Sequence, residues 1–437
     1  MSTLTRRSIL KKLACAPLMA FPIGCEFQRK PSLQQVPRPQ ATKLANHQIE
    51  LPPLEMQLAK ASGWLWKQQG SDGGWHSQEY ALLKSGQGYT PFILHALLNA
   101  PKSISTPPAH GVERALAFLR KHVNPQGVLG LADPDILEYP NYATSYALRC
   151  FVQVGKTEDK PLIKQMRKYL ISQQYRTENG FDPQHLAHGG WGFGSSMKNG
   201  SPGHMDLAHT RRVLEAIRIS GPVPHDTAMR AQVFLGLVQR DPKDARKQPT
   251  LQNDAPNSLN KKLSLGIKEP KTIPFDGGFY FSPIVLGANK GREKLSATGA
   301  YFCSYASATC DGILSLLAAG VKPTDSRVQA AVEWLSKHPQ IHYPAGVPQE
   351  HPEPWGEAIH FYHLAVRSEV SARLNLAGNW RSDIVRELAA RQESDGSYRN
   401  KMSPLMKEDD PLLATTLASQ ALRHVLGSQD QLQLVSD

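Results

Sequence analysis

The sequence predicts an all-α protein in which six helical hairpins close into a double ring. Three observations predict it: a recurring threonine-to-glycine frame, an alternation of two helix types, and glycine-aromatic turns between the helices. The frame places a threonine eleven positions before a Gly or Pro that can stop a helix. Its five copies are Thr90–Pro101, Thr144–Gly155, Thr210–Gly221, Thr309–Gly320 and Thr416–Gly427. A repeated internal spacing of this kind indicates a repeat architecture.

The two helix types differ in how much of their surface is apolar. The first type is amphipathic, with charges on one face, and is predicted at Leu54–Gln69, Val112–His122, Pro161–Gln174, Thr227–Gln239, Ser326–Lys337 and Trp380–Gln392. The second type is more apolar and is predicted at Tyr89–Asn99, Tyr142–Val154, Asp206–Ile219, Ser307–Ala319, Glu357–Ala372 and Asp410–Leu426. We expect charged helices in the outer wall and apolar helices in the inner wall. An open solenoid is the structural alternative, and it normally needs polar capping repeats.

Glycine-aromatic turns lie between the helices, and several of them follow a glutamine that ends an outer helix. The turns are Asp72–Trp75, Gly189–Phe193, Asp276–Phe279 and Asp395–Tyr398, and the glutamines are Gln68 and Gln69, Gln173 and Gln174, Gln239, and Gln392. Glycine permits the tight turn, the aromatic ring packs beneath it, and the glutamine amide can satisfy freed backbone groups. We therefore interpret the turns as structural staples rather than as catalytic or sugar-binding aromatic residues.

The amino-terminal segment predicts export. Thr5–Lys11 is similar to the twin-arginine export signal and precedes an apolar run that is too short to cross a membrane. That run ends at Cys25 in a sequence similar to a lipoprotein cleavage box, with Pro22 where an aliphatic residue is usual. We expect a bacterial protein, periplasmic or anchored to a membrane through a lipidated Cys25, with ordinary cleavage or no cleavage nearby as the alternatives.

The composition of the rest of the chain limits which partners and which disulfide bonds we expect. The 437 residues carry a net charge of +12, with single scattered lysines and arginines and no nucleic-acid motif, so no nucleic-acid partner is expected. Beyond the signal the cysteines are Cys150, Cys303 and Cys310, too few for a disulfide framework, and Cys150 is predicted to lie in the core. We divide the chain into a signal (1–25), a flexible spacer (26–50), a ring domain (51–427) with an insertion at 241–300, and a tail (428–437). Residues 241–272 of the insertion are either a mobile flap or a disordered segment.

These turns between paired helices resemble the prenyltransferase and squalene oxidase repeat superfamily, which includes squalene–hopene cyclases, oxidosqualene cyclases and protein prenyltransferase β subunits. The likeness covers roughly residues 54–427 and is closest to uncharacterised single-toroid bacterial members. It rests on Asp276–Pro283, Ser304–Cys310, His360–His363, Asn379–Arg381 and Glu408–Pro411. The resemblance implies an (α/α)6 toroid whose central cavity accepts isoprenoid chains.

Squalene cyclisation is disfavoured by the sequence. Cyclases of this type protonate an alkene with an acid from an Asp-x-Asp-Asp run, and no such run occurs here. The nearest acidic triplet, Glu408–Asp410, precedes Pro411 at the start of an inner helix, where acids commonly cap. We interpret the triplet as capping.

A zinc site is a second chemistry implied by the resemblance, because protein prenyltransferases hold zinc with Asp, Cys and His. Asp311 and His363 match two of the three ligands, whereas Ile313 stands at the cysteine position. Cys310 is adjacent to Asp311 and could substitute, although neighbouring residues on a helix point about 100° apart.

The beginnings of the inner helices should converge at one end of the ring, which we name the mouth. They place there acids, histidines and tyrosines suited to acid–base work or to binding a polar headgroup: Tyr89, Tyr142, His204, Asp206, His209, Tyr305, Asp311, His360, Tyr362, His363 and Asp410. Asp206, Asp311 and His363 are the candidate catalytic residues, and the others are candidate ligand-binding residues. For each residue taken singly, helix capping or an ordinary satisfied polar group is the alternative.

The predicted function is an exported terpenoid-cyclase-like protein that binds an isoprenoid or other lipid in its central cavity, with or without transforming it. As an enzyme it would be an isoprenoid cyclase, an isomerase or a prenyltransferase-like enzyme. A non-catalytic lipid-binding or scaffold toroid and a zinc-dependent prenyltransferase-like enzyme are the alternatives. The sequence leaves the oligomeric state open.

Overall fold

The structure, a computed structural model, describes residues 52–132, 138–194, 203–246, 273–296 and 299–427. All of them belong to one compact unit, Glu50–Asp437. The predicted signal with Cys25, the spacer, most of the predicted flap at 241–272 and the tail at 428–437 lie outside the described residues.

Thirteen α-helices make up most of the described chain. Six form the outer wall: α1 (Leu54–Lys67), α3 (Gly111–His122), α5 (Lys160–Ser172), α7 (His225–Gln239), α9 (Ser326–Ser336) and α12 (Trp380–Ala389). Six form the inner wall: α2 (Tyr89–Asn99), α4 (Pro140–Val154), α6 (Leu207–Ile219), α8 (Ala306–Ala318), α11 (His360–Arg373) and α13 (Pro411–Leu426). The remaining elements are the short helix α10 (Trp355–Ala358) and an antiparallel hairpin of β1 (Glu293–Ser296) and β2 (Gly299–Phe302).

The inner helices form a closed ring. Each packs against the next one along the chain, and α13 returns to pack against both α1 and α2. The predicted all-α (α/α)6 toroid is therefore confirmed, and the open solenoid is not the architecture. The apolar core lies between the two walls, where the turn aromatic residues Trp75, Trp191, Phe279 and Tyr398 are fully buried. Cys150 is buried there as predicted. No helix in the described part of the chain is long and apolar enough to span a membrane.

Each glutamine that ends an outer helix ties three elements together. The Gln174 amide donates to the carbonyl of Gly189 in the following turn and to the carbonyl of Thr227 in the next outer helix, both at 3.0 Å. Gln69 and Gln239 make equivalent pairs of hydrogen bonds. Gln392 repeats the pattern across the seam of the ring, donating to Gly396 at 3.1 Å and to Gln57 of α1 at 2.9 Å. This side chain therefore helps to close the toroid.

The repeat threonines hold the glycine-aromatic turns against the inner helices. The hydroxyl of Thr90 accepts a hydrogen bond from the backbone N–H of Trp75 at 2.9 Å, and Thr144, Thr210 and Thr309 make the equivalent contact. In the last copy this contact is made by Thr415, which accepts from Tyr398 at 2.9 Å. The predicted frame beginning at Thr416 is thus shifted by one residue, because Thr416 instead donates to the carbonyl of Leu412 within its helix.

The predicted inner helix Glu357–Ala372 is interrupted at Ile359, where α10 ends and α11 begins. The Glu408 carboxyl group accepts the backbone N–H groups of Phe361 and Tyr362, at 2.9 and 2.7 Å, and so caps the new helix. Asp410 caps its own helix, α13, by accepting from Leu412. The interpretation of the acidic triplet as capping therefore holds for Asp410, whereas Glu408 caps the neighbouring inner helix.

Candidate functional site

A cluster at the start of α6 combines an acid with two histidines. Asp206 is the residue before the helix, and its carboxylate accepts the backbone N–H of His209 at 2.9 Å. The same carboxylate lies 2.9 Å from Nδ1 of His209 and 3.5 Å from Nε2 of His204. The preceding glycine-aromatic turn positions this acid, since the Asp206 N–H points to the carbonyl of Trp191. Three predicted mouth residues therefore meet at one point.

Aromatic rings enclose the His209 imidazole. Phe193 lies with its ring centre 4.7 Å from His209, and Tyr142 and Tyr139 lie at 5.8 and 6.2 Å. Phe193 also stacks on His204 at 4.1 Å. The Nε2 atom of His209 is buried and has no hydrogen-bond partner among the described residues. Because buried polar atoms are nearly always paired, this nitrogen marks a place where a ligand's polar atom can bind.

The charge of the acid is stabilised by its neighbours. Burial alone would raise the pKa of Asp206, but the two histidines lower it, and the net shift is downward. An ionised Asp206 favours a proton on Nδ1 of His209. In the neutral imidazole, Nε2 then carries the lone pair. The pair can therefore accept a proton from, or hydrogen-bond to, a group placed among the aromatic rings.

Lys290 is a buried cation near this cluster. Burial lowers its pKa to about 8, and the charge of Asp206 opposes that shift. Its ammonium lies 5.1 Å from the ring centres of both Phe281 and Trp355 and donates to the carbonyl of Ala288. The segment is held against α6 because the Phe281 carbonyl accepts from the N–H of Leu207 at 3.0 Å.

A second mouth cluster lies across the ring. The hydroxyls of Tyr89 and Ser77 donate to the carboxylate of Asp410, at 3.0 and 2.5 Å. Burial raises the pKa of Asp410 despite these hydrogen bonds. The carboxylate also caps α13, so all of its described contacts are structural.

An ionic network joins three inner helices. Arg211 is fully buried and contacts three carboxylates from three inner helices, namely those of Glu215, Asp311 and Glu369. The other oxygen of Asp311 accepts from the Tyr362 hydroxyl at 2.6 Å. Burial raises the pKa of Asp311, and Arg211 opposes the shift. Asp311 is therefore a member of this network, separate from the Asp206 cluster.

The remaining predicted residues do not join the Asp206 cluster through a direct contact. Nδ1 of His363 lies 3.5 Å from the Ser307 hydroxyl, and burial lowers its pKa. Tyr305 precedes α8 and is buried, which raises its pKa. His360 faces the outer wall, with Nε2 at 3.4 Å from the Glu387 carboxylate.

The zinc ligands considered from the sequence do not assemble. No group of three His, Cys, Asp or Glu side chains suited to a metal ion occurs in the described ranges. Burial raises the pKa of Cys310 to about 12, which disfavours the thiolate that zinc requires. Asp311 is already bound by Arg211 and Tyr362. Cys310, Asp311 and His363 therefore do not fit a zinc site.

Several residues of these clusters were not predicted from the sequence, namely Lys290, Arg211, Glu215 and Glu369. A signal for the network was present, because Arg211, Arg212 and Glu215 interrupt an inner helix that ought to be apolar. Charged residues on a buried helix are rare unless they are paired. Lys290 carried no such signal, because it lies in a loop.

Comparison with known proteins gives structural likeness without sequence likeness. No family model matches the chain. No curated protein matches it in sequence. Among solved structures, the chain is similar to the type II terpene cyclase MstE from Scytonema, with 14% identity, 86% of this chain and 99% of that chain covered, and a TM-score of 0.48.

Two further solved structures are similar at the same level. One is the GH76A α-1,6-mannanase from Salegentibacter sp. HEL1_6, with 9% identity, 85% of this chain and 98% of that chain covered, and a TM-score of 0.48. The other is a protein from Actinoplanes, with 14% identity, 86% and 100% coverage, and a TM-score of 0.47. The toroid fold is established by the closed ring of helices itself.

Proposed function

We propose that the protein binds an isoprenoid or another lipid-like molecule at the mouth of its ring, with Asp206 and His209 at the polar end of the ligand. The observation that carries this proposal is the buried, unpartnered Nε2 of His209 among the rings of Phe193, Tyr142 and Tyr139. Aromatic faces suit an apolar chain, and the free nitrogen suits a hydroxyl or a carboxylic acid.

The Asp206–His209 pair also supports a chemical role for the protein. A carboxylate that holds one imidazole nitrogen leaves the other nitrogen as a base, which is the arrangement used in general acid–base catalysis. Asp206 and His209 are therefore the proposed catalytic pair, with His204 as a further binding group. Among the sequence candidates, Asp311 and His363 take supporting positions, because Asp311 is neutralised by Arg211 and His363 is fully buried.

We favour the mouth over the centre of the ring as the binding site of the lipid. Arg211 and its three carboxylates occupy the middle of the inner wall, where an apolar chain would have to displace buried ion pairs. Removing one member of such a network leaves uncompensated buried charges, which is strongly unfavourable. A lipid chain lying over the aromatic rings of the mouth avoids this cost.

A second candidate function is a non-catalytic scaffold. It is favoured by the same ionic network, since Arg211 cross-links α6, α8 and α11 through buried salt bridges. A toroid stabilised in this way needs no ligand in its centre. The two candidates differ in whether the mouth is occupied.

Export by the twin-arginine route and anchoring through Cys25 are part of this proposal. They are supported by Arg6 and Arg7 ahead of the apolar run and by the cleavage-box similarity at Cys25. Cell fractionation tests them. The wild-type chain should be found outside the cytoplasm, a variant with both arginines replaced by lysine should remain inside, and Cys25→Ala should leave the membrane fraction.

Extraction of the purified protein tests the binding proposal. Organic extraction followed by mass spectrometry should yield a lipid in stoichiometric amount from the wild type and much less from His209→Gln. His225→Gln is the matched control, because that histidine is exposed on an outer helix. A wild-type protein that carries no lipid would favour the scaffold, and stoichiometric zinc in elemental analysis would overturn the assignment in favour of the metal-dependent alternative.

A further inference from the structure

Basic and histidine side chains from three successive inner helices gather around the ring of Tyr146. The guanidinium carbons of Arg149 and Arg212 lie 5.4 and 5.6 Å from the centre of this ring. His95 meets it edge to face at 5.2 Å. These residues belong to α2, α4 and α6, so the arrangement depends on the closed ring and not on any single helix.

Cations outnumber carboxylates in this part of the ring. The connected network contains four arginines and three acids: Arg149, Arg211, Arg212, Arg373, Glu215, Asp311 and Glu369. Arg211 contacts all three acids. Among the described residues, Glu215 is the one carboxylate within ion-pair distance of Arg149 and Arg212, at 3.0 and 3.3 Å. Glu215 also forms an ion pair with Arg211. The network therefore has one more arginine than it has carboxylates, and all four arginines share Glu215.

Each of the three side chains around Tyr146 carries an unpartnered nitrogen atom in the described part of the chain. The Nε atoms of Arg149 and Arg212 and the Nδ1 atom of His95 are buried without a hydrogen-bond partner in the described structure. Arg212 is 4% exposed and His95 is 9% exposed, so solvent has little access to them. A buried guanidinium N–H without an acceptor is costly, and an anion placed beside it removes that cost.

The electrostatics agree with this geometry. The pKa of Arg212 is raised because the tyrosines and Glu215 around it outweigh the effects of burial and of Arg211, so the arginine stays charged. Burial lowers the pKa of His95, and Arg149 and Arg212 lower it further, so this imidazole is neutral and can donate one hydrogen bond.

We propose that Arg149, Arg212 and His95, which surround the ring of Tyr146, form an oxyanion-binding site that holds a carboxylate or phosphate group. Arginine matches such groups well, because its planar fork donates parallel hydrogen bonds to two oxygens. The site lies one helical turn beyond His209 along α6. Tyr142 stands between them, with its ring centre 5.8 Å from His209 and 4.8 Å from Tyr146.

This site goes beyond the proposed lipid binding and does not depend on it. The Asp206–His209 pair is not part of this site, so an oxyanion can bind whether or not the mouth is occupied. The Arg149 side chain keeps 13% of its surface exposed.

Calorimetric titration of the full chain tests the site, with inorganic phosphate and hexanoate as separate probes at constant ionic strength in chloride. We expect saturable binding of one of the two, and the one that binds identifies the oxyanion class. Arg212→Gln should weaken this binding by roughly tenfold to a hundredfold, because it removes charge-assisted hydrogen bonds. Arg386→Gln, an exposed arginine on α12, should bind as the wild type does.

The proposal is overturned if neither probe binds saturably, or if Arg212→Gln binds like the wild type. If Arg212→Gln does not fold, His95→Gln decides by the same criterion, because it keeps every charge of the network and removes only the imidazole. Failure here leaves the lipid proposal intact, because that proposal is tested on His209 with an apolar ligand.

Discussion

The carboxylate of Asp206 holds Nδ1 of His209 at 2.9 Å while also accepting the backbone N–H of the same histidine. One acid thus begins an inner helix and orients the imidazole that follows it by three residues. The imidazole cannot turn without losing a contact to the acid that caps its own helix. This coupling directs the free Nε2 towards the aromatic rings and gives the mouth its chemical character.

Replacing Gln392 with alanine should weaken closure of the toroid. Its amide joins the last turn to α1 through two hydrogen bonds, at 3.1 and 2.9 Å. Loss of both should lower the free energy of unfolding by about 1–3 kcal/mol. Urea denaturation measures this, with Gln78→Ala as the exposed control. An equal effect of the two substitutions would show that Gln392 does not act as a staple.

Two glycines should respond to alanine with opposite sign. Gly396 has a φ of +95°, and a Cβ there would lie 2.6 Å from the carbonyl oxygen of Lys60, so Gly396→Ala should destabilise the fold. Gly63 lies in the exposed face of α1 with nothing within 4 Å, so Gly63→Ala should stabilise it by roughly 0.5–1 kcal/mol. Thermal unfolding of both variants checks the pair. Destabilisation by Gly63→Ala would contradict the described helix.

Glu408 should make stability fall as the pH rises. Burial raises its pKa from 4.5 to about 8 despite the hydrogen bonds from Phe361 and Tyr362. Between these two values the folded state retains a proton that the unfolded state has lost. The contribution of Glu408 to the free energy of unfolding is therefore complete below pH 4.5. It is lost as the pH rises towards 8, by up to about 1.4 kcal/mol per pH unit.

Glu408→Gln removes this titration, so the stability of the wild type relative to that variant should decline from pH 5 to pH 8. Denaturation at several pH values measures the difference, and Glu55→Gln, at an exposed position of α1, is the control. A constant difference between wild type and Glu408→Gln across this range would argue that the carboxyl is ionised throughout.

Arg211→Met should be severely destabilising. The substitution would leave the carboxylates of Glu215, Asp311 and Glu369 without their shared cation in a buried place, at a cost of about 3–5 kcal/mol. Acidification should recover part of the loss, because protonated acids no longer repel each other. Arg386→Met should change stability by less than about 0.5 kcal/mol. A mild effect of Arg211→Met would mean that the network does not stabilise the ring.

Much of the fold could be predicted from local signals in the sequence. Gln174 and Gly189 belong to one repeat unit, and their spacing alone indicated the staple that they form. The break at Ile359 could not be predicted, because the capping carboxyl group of Glu408 comes from the next hairpin. The shift from Thr416 to Thr415 likewise depends on which hydroxyl reaches Tyr398 in three dimensions.

Part of the candidate site could be predicted, because some of its residues are close together in the sequence. Asp206 and His209 are three residues apart on one helix, so their contact follows from helical geometry. His360 was expected at the mouth but lies against Glu387 of the outer wall, because helix rotation and not sequence position sets the direction of a side chain. The ionic network around Arg211 joins residues that are distant in sequence, and only the closed ring brings them together.

Lipid binding at the mouth is tested most directly by titrating the protein with farnesol, an isoprenoid alcohol. Tryptophan fluorescence monitors the binding. The wild type should bind farnesol saturably, and His209→Phe, which keeps an aromatic ring but removes both nitrogens, should bind roughly tenfold more weakly. His225→Gln should bind as the wild type does. Absence of saturable binding to the wild type, or equal binding by His209→Phe, would contradict the assignment of the mouth as a lipid site built around Asp206 and His209.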